Sequence, residues 1–206
     1  MYFCNYLKNN AQQKHKNSLM YKMKSLTYYI QEKLIINSLQ EKLVIKKSNQ
    51  YKYFPQSKEE LKSIVKKRIK DEGNEVNLND IDVSQITDIS NLFNGTDFNG
   101  DISQWDVSNV TNMYGLFYCC DKFNQDISDW DVSNVKNMYC MFSYCKNFNQ
   151  DISNWDVSNV TNMTEIFWGC ESFNQDISKW NVSKVTDAYR MFYNCPIKEK
   201  HKPNFK

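Results

Sequence analysis

From Phe98 onward the apolar residues fall in a pattern that recurs every 25 positions. Phe98, Phe123, Phe148 and Phe173 open successive units, and Trp105, Trp130, Trp155 and Trp180 keep step with Val107, Val132, Val157 and Val182. A degenerate copy precedes them. Leu78 to Asp97 matches at an offset of 24, with Ile81 on the Trp position, Val83 on the Val position and Leu92-Phe93 on Leu116-Phe117. A fixed period with one irregular end copy marks a stack of repeats, in which each unit is too small to bury its own apolar face and does so against its neighbours.

Inside a unit the local pattern changes. Trp105 and Val107 flank Asp106 in alternation, which predicts a short strand with two side chains inward and the carboxylate outward. Val110, Met113, Leu116, Phe117 and Cys120 then run at spacings of three and four, the face of a helix of two to three turns with Ser108 as its N-cap. Phe98 and Ile102 read as inward anchors of a turn rich in Asn, Asp and Ser. Stacking such units predicts a continuous parallel sheet on one side, strands roughly 4.8 Å apart, and a row of short helices on the other. The fold class expected is therefore an α/β repeat, a solenoid of short parallel strands and short helices with N-terminal helices ahead of it.

Those helices are legible upstream. Residues 1–16 are short, polar and rich in Asn, Gln and Lys, which predicts a disordered tail. Over 17–50 the residues Met23, Leu26, Ile30, Leu34, Leu39 and Leu43 fall three to five apart among Lys and Glu, predicting a basic amphipathic helical extension. Residues 51–77 read as a cap. Tyr51 to Pro55 is an extended entry, Ser57 with Glu60 forms a capping box, Leu61, Ile64, Val65 and Ile69 make one apolar face, and Gly73 sits where a C-terminal cap belongs. The repeats fill 78–197, and 198–206 form a basic tail.

Charge adds a partition. Residues 1–72 hold 16 Lys/Arg against 6 Asp/Glu (+10), 73–197 hold 6 against 17 (−11), and the last nine hold 4 against 1 (+3), for a net +2. A basic head on an acidic body is compatible with self-docking or with an arm for an anionic partner, and equally with plain solvated lysine-rich helices. No recognisable nucleic-acid module interleaves those lysines with aromatics, so no specific nucleic-acid partner is expected. No run of 18 apolar residues exists, so no transmembrane helix is expected. The polar N-terminus shows no apolar signal core, and Cys4 lacks the context of a lipid attachment site.

Catalytic material is sparse. The histidines are His15 and His201, both in tails, and the carboxylates recur with the coil, whereas an active site needs unlike residues converging at one place. The chain reads as non-enzymatic. Gly73, Gly95, Gly100, Gly115 and Gly169 form no phosphate loop, and no cofactor is implied. Seven cysteines, an odd number, do not make a complete disulfide framework; Cys120, Cys145, Cys170 and Cys195 recur at one place per unit, as packing residues do, and no tight ligand pairs point to a metal. The candidate binding residues are Asp82, Asp106, Asp131 and Asp156, a column on the outer face of the expected sheet with Asn181 closing it. Like charges one coil apart repel, so their repetition needs an offset from solvent, a cation or a basic protein partner. A second column, Asp101, Asp126, Asp151 and Asp176, falls in the turn.

The motif W-D-V-S-N-V-T-N-M-x-x-M-F-x-x-C runs from Trp105 to Cys120, Trp130 to Cys145, Trp155 to Cys170 and Trp180 to Cys195. It resembles the repeat of the BspA-like leucine-rich repeat surface proteins of bacteria over about residues 78–197, and YFPQSKEELKSIV resembles the lead-in common in that family. The resemblance implies a leucine-rich-repeat-like solenoid and a role in protein binding, commonly adhesion at a cell surface. The alternative is an intracellular interaction or structural protein whose N-terminal helix mediates docking or self-association, since no signal peptide or anchor is recognisable.

Overall fold

A computed structural model describes residues 29–42 and 50–205. The chain divides into two compact units, residues 1–50 and 51–206. In the first, residues 29–42 are helical, with Ile30, Leu34 and Leu39 exposed. The expected disordered tail over 1–16 and the rest of the expected 17–50 helix, Met23, Leu26 and Leu43 included, lie outside the described residues, as do Cys4 and His15.

The second unit begins with an extended entry. Tyr53 makes a single parallel bridge to Ile81, and the N–H groups of Lys52 and Tyr53 both donate to the Asp80 carbonyl. The helix Lys58–Glu72 follows. Ser57 caps it by accepting from the Glu60 N–H (3.2 Å), and Gly73, at φ 92°, closes it with its N–H on the Ile69 carbonyl. The return arm of the capping box lands one residue early, the Glu60 carboxylate accepting from the Gln56 N–H (2.8 Å). Leu61 and Val65 are fully buried against the first coil. Arg68 fixes the helix from its other side: its guanidinium takes both oxygens of Asp80 (2.8 and 3.0 Å), pairs with Glu72 and lies over the Tyr53 ring.

The repeats stack as predicted by their period but not with the elements expected. No strand is present among the described residues, and W-D-V is not paired. Successive coils share single parallel bridges at Asp88, Asn112, Asn137, Asn162 and Asp187. Nor does Val110 to Cys120 form a helix, so Ser108 caps none. The α/β expectation fails for one reason in both places: the backbone bonds run between coils from consecutive turns. In Met113 to Cys120 the N–H groups of Leu116, Tyr118 and Cys120 close turns on the carbonyls of Met113, Gly115 and Phe117. The alternate N–H groups, of Met113, Gly115, Phe117 and Cys119, donate to Asn137, Tyr139, Met141 and Ser143 of the next coil at 2.8 to 2.9 Å. Two residues per coil are left-handed to permit this, Gly115 and Cys119 here, then Cys140 and Tyr144, Glu165 and Gly169, Arg190 and Asn194. A helix has no such residues.

The consequence is directional. Each peptide group that donates forward accepts from behind, as in Asn112–Met113, which takes the Ile89 N–H and gives its own to Asn137. Four such columns run the length of the stack, with every carbonyl toward the helix Lys58–Glu72 and every N–H toward the C-terminal end. Aligned peptide dipoles of this kind sum, as they do along an α-helix. At the carbonyl end Lys58 pairs with Asp88 (3.1 Å) and hydrogen-bonds Ser90, and Lys62 and Lys66 line a cleft with Asn91 and Asn94.

The core is a set of side-chain columns. Phe93, Phe117, Phe142, Phe167 and Phe192 stack face to face at 5.5 to 5.9 Å between centroids. The Phe98 column interleaves with it, Phe117 and Phe123 lying 3.8 Å apart. Each Trp indole N–H donates to a carbonyl of the preceding coil, Trp105 to Leu78, Trp130 to Ile102, Trp155 to Ile127 and Trp180 to Ile152, at 2.9 to 3.1 Å. Cysteine thiols do likewise, Cys120, Cys145 and Cys170 donating to Phe93, Phe117 and Phe142. The indole and thiol donors give buried backbone carbonyls a partner that regular sheet would otherwise supply.

Candidate functional site

With no sheet, Asp106, Asp131 and Asp156 stand not on a sheet face but at the first position of a row of Asx turns. Each Oδ1 accepts the N–H of the serine two residues on, Ser108 (3.2 Å), Ser133 (3.0 Å) and Ser158 (3.0 Å), and Asn181 closes the row on Ser183. An Asx turn holds the side chain in one place, leaving the second oxygen to face outward. The alternation read from sequence does survive here: Trp105 and Val107 are buried at 3% and 1% and Asp106 is exposed. Asp82 makes the same turn at the head of the row but differs in exposure. It is half-buried beside the cap, where its N–H donates to the Tyr53 carbonyl and its Oδ1 takes Ser84. The structure therefore groups Asp106, Asp131 and Asp156 and sets Asp82 apart.

The second column repeats the device. Asp101, Asp126, Asp151 and Asp176 accept the N–H groups of Ser103, Ser128, Ser153 and Ser178 at 2.9 to 3.0 Å. Hydrogen bonds to the charged form favour it. The backbone N–H and hydroxyl of Ser128 and of Ser153 hold Asp126 and Asp151 below the ordinary carboxylate range, and the hydroxyl and N–H of Ser158 do so for Asp156. These carboxylates are charged at neutral pH.

A third column escaped the sequence reading: Asp88, Asn112, Asn137, Asn162 and Asp187 take the N–H groups of Ser90, Tyr114, Tyr139, Thr164 and Tyr189. Its signal is the recurrent Asn of V-T-N-M, which falls between Val and Met inside the span expected to be helical. In the structure these residues also join neighbouring coils, Asn112 to Asp88 (3.1 Å) and Asn137 to Asn112 (3.1 Å). The connecting turn has its own ladder, in which Asn99, Asn124 and Asn149 each accept the N–H of the residue one coil on, at 2.9 to 3.0 Å. Much of the polar repetition thus ties the backbone together.

The cysteine column is likewise accounted for by its carbonyl partners. Burial pushes the Cys120 thiol up to about 11 and raises those of Cys145 and Cys170 well above the ordinary 9.0, which leaves them protonated and poorly nucleophilic. Among the described residues no group of three His, Cys, Asp or Glu is placed to hold a metal ion, and no helix is long and apolar enough to cross a membrane.

No curated protein and no solved structure matches the chain. A family model does, twice and in overlapping stretches, as a periodic chain allows: over residues 59–152 and again over 130–203, from the cap helix through the last coil. The chain belongs to the family described as Mycoplasma protein of unknown function, DUF285.

Proposed function

We propose that the chain is a non-enzymatic protein-binding module whose strip of Asp106, Asp131 and Asp156 receives a basic surface of a protein partner. One observation carries the reading: three exposed carboxylates recur one coil apart, each fixed by an Asx turn, and none of the three is in an ion pair with a described residue. Fixed like charges in a row repel one another, and a complementary row of lysines or arginines relieves that repulsion while gaining from pre-organisation. Rows of identical groups suit recognition better than catalysis, which needs unlike groups at one point. The resemblance of the repeat to BspA-like surface proteins supports a reading in which this binding serves adhesion at a bacterial surface. The test is a pull-down with matrix proteins and cell lysate, using the chain and its Asp106→Asn, Asp131→Asn, Asp156→Asn triple variant. Asparagine keeps the turn, as Asn181 does. Loss of the captured protein on substitution supports the strip; unchanged capture rejects it.

A second reading rests on the helix over 29–42, where Ile30, Leu34 and Leu39 are 49%, 62% and 59% exposed. In that reading the helix docks or self-associates. Light scattering on the full chain and on Ile30→Asp/Leu34→Asp decides it, equal monomer masses rejecting helix-driven assembly.

A further inference from the structure

The stack is closed at one end and half open at the other. In each of the inner coils the forward N–H groups are taken up: Met163, Glu165, Phe167 and Gly169 donate to Asp187, Tyr189, Met191 and Tyr193 at 2.8 to 3.0 Å. Their counterparts in the last coil, the N–H groups of Ala188, Arg190, Phe192 and Asn194, take no hydrogen bond among the described residues. The segment after Cys195 begins a further coil without finishing it. Its Lys198 N–H donates to Asn174 Oδ1 (3.0 Å), as Asn174 does to Asn149, and the Ile177 N–H donates to the His201 carbonyl (3.0 Å). The segment then turns aside, so the first half of the last coil is covered and the second half is not. Between them lies a cleft of about 610 Å³ lined by Ala188, Met191, Phe192, Pro203 and Phe205 together with the Lys202–Glu199 ion pair.

We propose that this face docks a peptide segment bearing a carboxylate side chain, the peptide's carbonyls accepting from Ala188, Arg190, Phe192 and Asn194 and its carboxylate meeting the Arg190 guanidinium. This site is separate from the Asp strip. Four donors on alternate residues, all pointing one way, match carbonyls presented on alternate residues, as Asp187, Tyr189, Met191 and Tyr193 present theirs to the coil before, so the open edge can add one more run of chain. They are also the positive end of the aligned peptide columns, which favours an anion. Arg190 supplies side-chain selectivity. Its guanidinium lies 4.9 Å from the Tyr189 ring centroid, 5.4 Å from that of Tyr193 and 5.5 Å from that of Trp168, and makes no ion pair with a described residue. Tyr189 and Tyr193 are 59% and 52% exposed, Tyr193 meeting Trp168 only edge-on (6.1 Å), whereas at the equivalent places within the stack Tyr139 lies on Tyr114 (5.2 Å) and Trp168 on Tyr144 (5.2 Å). A second copy is a poor occupant. Its own open face would set N–H against N–H, and its carbonyl end lies under the helix Lys58–Glu72.

The test is an amide-resolved NMR titration of the ¹⁵N-labelled full chain with two blocked hexapeptides, acetyl-Asp-Val-Asp-Val-Asp-Val-amide and its Lys-for-Asp counterpart, each carrying four carbonyls on alternate residues. The acidic peptide is expected to shift the amides of Ala188, Arg190, Phe192 and Asn194 saturably and the basic one to do so far less. Arg190→Gln, at a left-handed position that Glu165 also occupies, should weaken binding roughly fivefold, the worth of one exposed ion pair, and Arg190→Lys should restore most of it. Absence of saturable shifts at these four amides, equal response to both peptides, or concentration-dependent shifts of the same amides without peptide would each overturn the proposal, the last in favour of a second copy.

Discussion

Replacing Trp155 by phenylalanine tests whether the indole bonds hold the coils in register. The ring is 4% exposed, and its N–H donates to the Ile127 carbonyl at 3.1 Å. That carbonyl also accepts the Trp130 N–H at 3.2 Å, so the substitution does not orphan it, and the loss is the net worth of one neutral hydrogen bond, about 1 kcal/mol. Phenylalanine keeps the stacking on Phe142 and Trp180 but leaves the space of the second ring empty, at a cost of about 1 to 2 kcal/mol if the coil does not collapse. The expected destabilisation is thus about 2 to 3 kcal/mol, a sizeable part of the 5 to 15 kcal/mol typical of a domain. Urea unfolding followed by circular dichroism measures it as a fall in midpoint at unchanged slope. A loss below about 0.5 kcal/mol would show that the indole bond contributes nothing between coils and would refute the reasoning.

Gly100→Ala should cost roughly 2 kcal/mol or more in the same assay, because its Cβ would stand 2.0 Å from the Val76 carbonyl oxygen, a backbone atom. Asp131→Ala should cost about 1 kcal/mol through loss of its Asx turn while Asp131→Asn is nearly neutral; equal losses would mean that charge matters and the turn does not. Cys145 and Cys170 should resist alkylation at pH 8 in the native chain and react on unfolding, measured by mass spectrometry with and without urea. Stability should fall at both pH extremes. Burial raises the thiols of Cys120 and Cys195 from the ordinary 9.0 to about 11, so their contribution is whole below pH 9 and lost as pH rises through 11. Asp126 and Asp151 lie below their ordinary 3.8, so their contribution is whole above that value and lost as pH falls beneath it. A flat profile from pH 2 to 11.5 would contradict both.

What the sequence conveyed was the position of side chains more than the path of the backbone. Phe148, Ile152, Trp155, Val157, Val160 and Met163 were readable as one coil's inward set, and all are buried. The cap helix was readable from Ser57, Glu60 and Gly73 because those residues act locally. The helix over Val110 to Cys120 was misread because its spacing of three and four has two physical sources. Turns closing on every third residue bring the same positions inward as a helical face does. The distinguishing signal is a left-handed residue, and within the coils glycine shows it at Gly95, Gly115 and Gly169 only; elsewhere Asn91, Cys119, Cys140, Tyr144, Glu165, Arg190 and Asn194 occupy those positions. W-D-V misled in the complementary way, since alternation of buried and exposed side chains needs an extended chain but not a paired one. For the Asp columns the sequence revealed the rows and not their bonds, because an Asx turn leaves no mark beyond a serine two residues on.

The two unlike ends of the stack also bear on how it comes apart. At the N-terminal end a helix is clamped down by Arg68 and Lys58; at the other, a half coil is held from one side alone. Opening therefore has a preferred origin, with Val182 to Asn194 fraying first and each coil released only after the one that follows it. A molecule of identical coils in this way acquires an order of disassembly, and hydrogen exchange should read it as a gradient of protection rising from Asn194 back toward Met113.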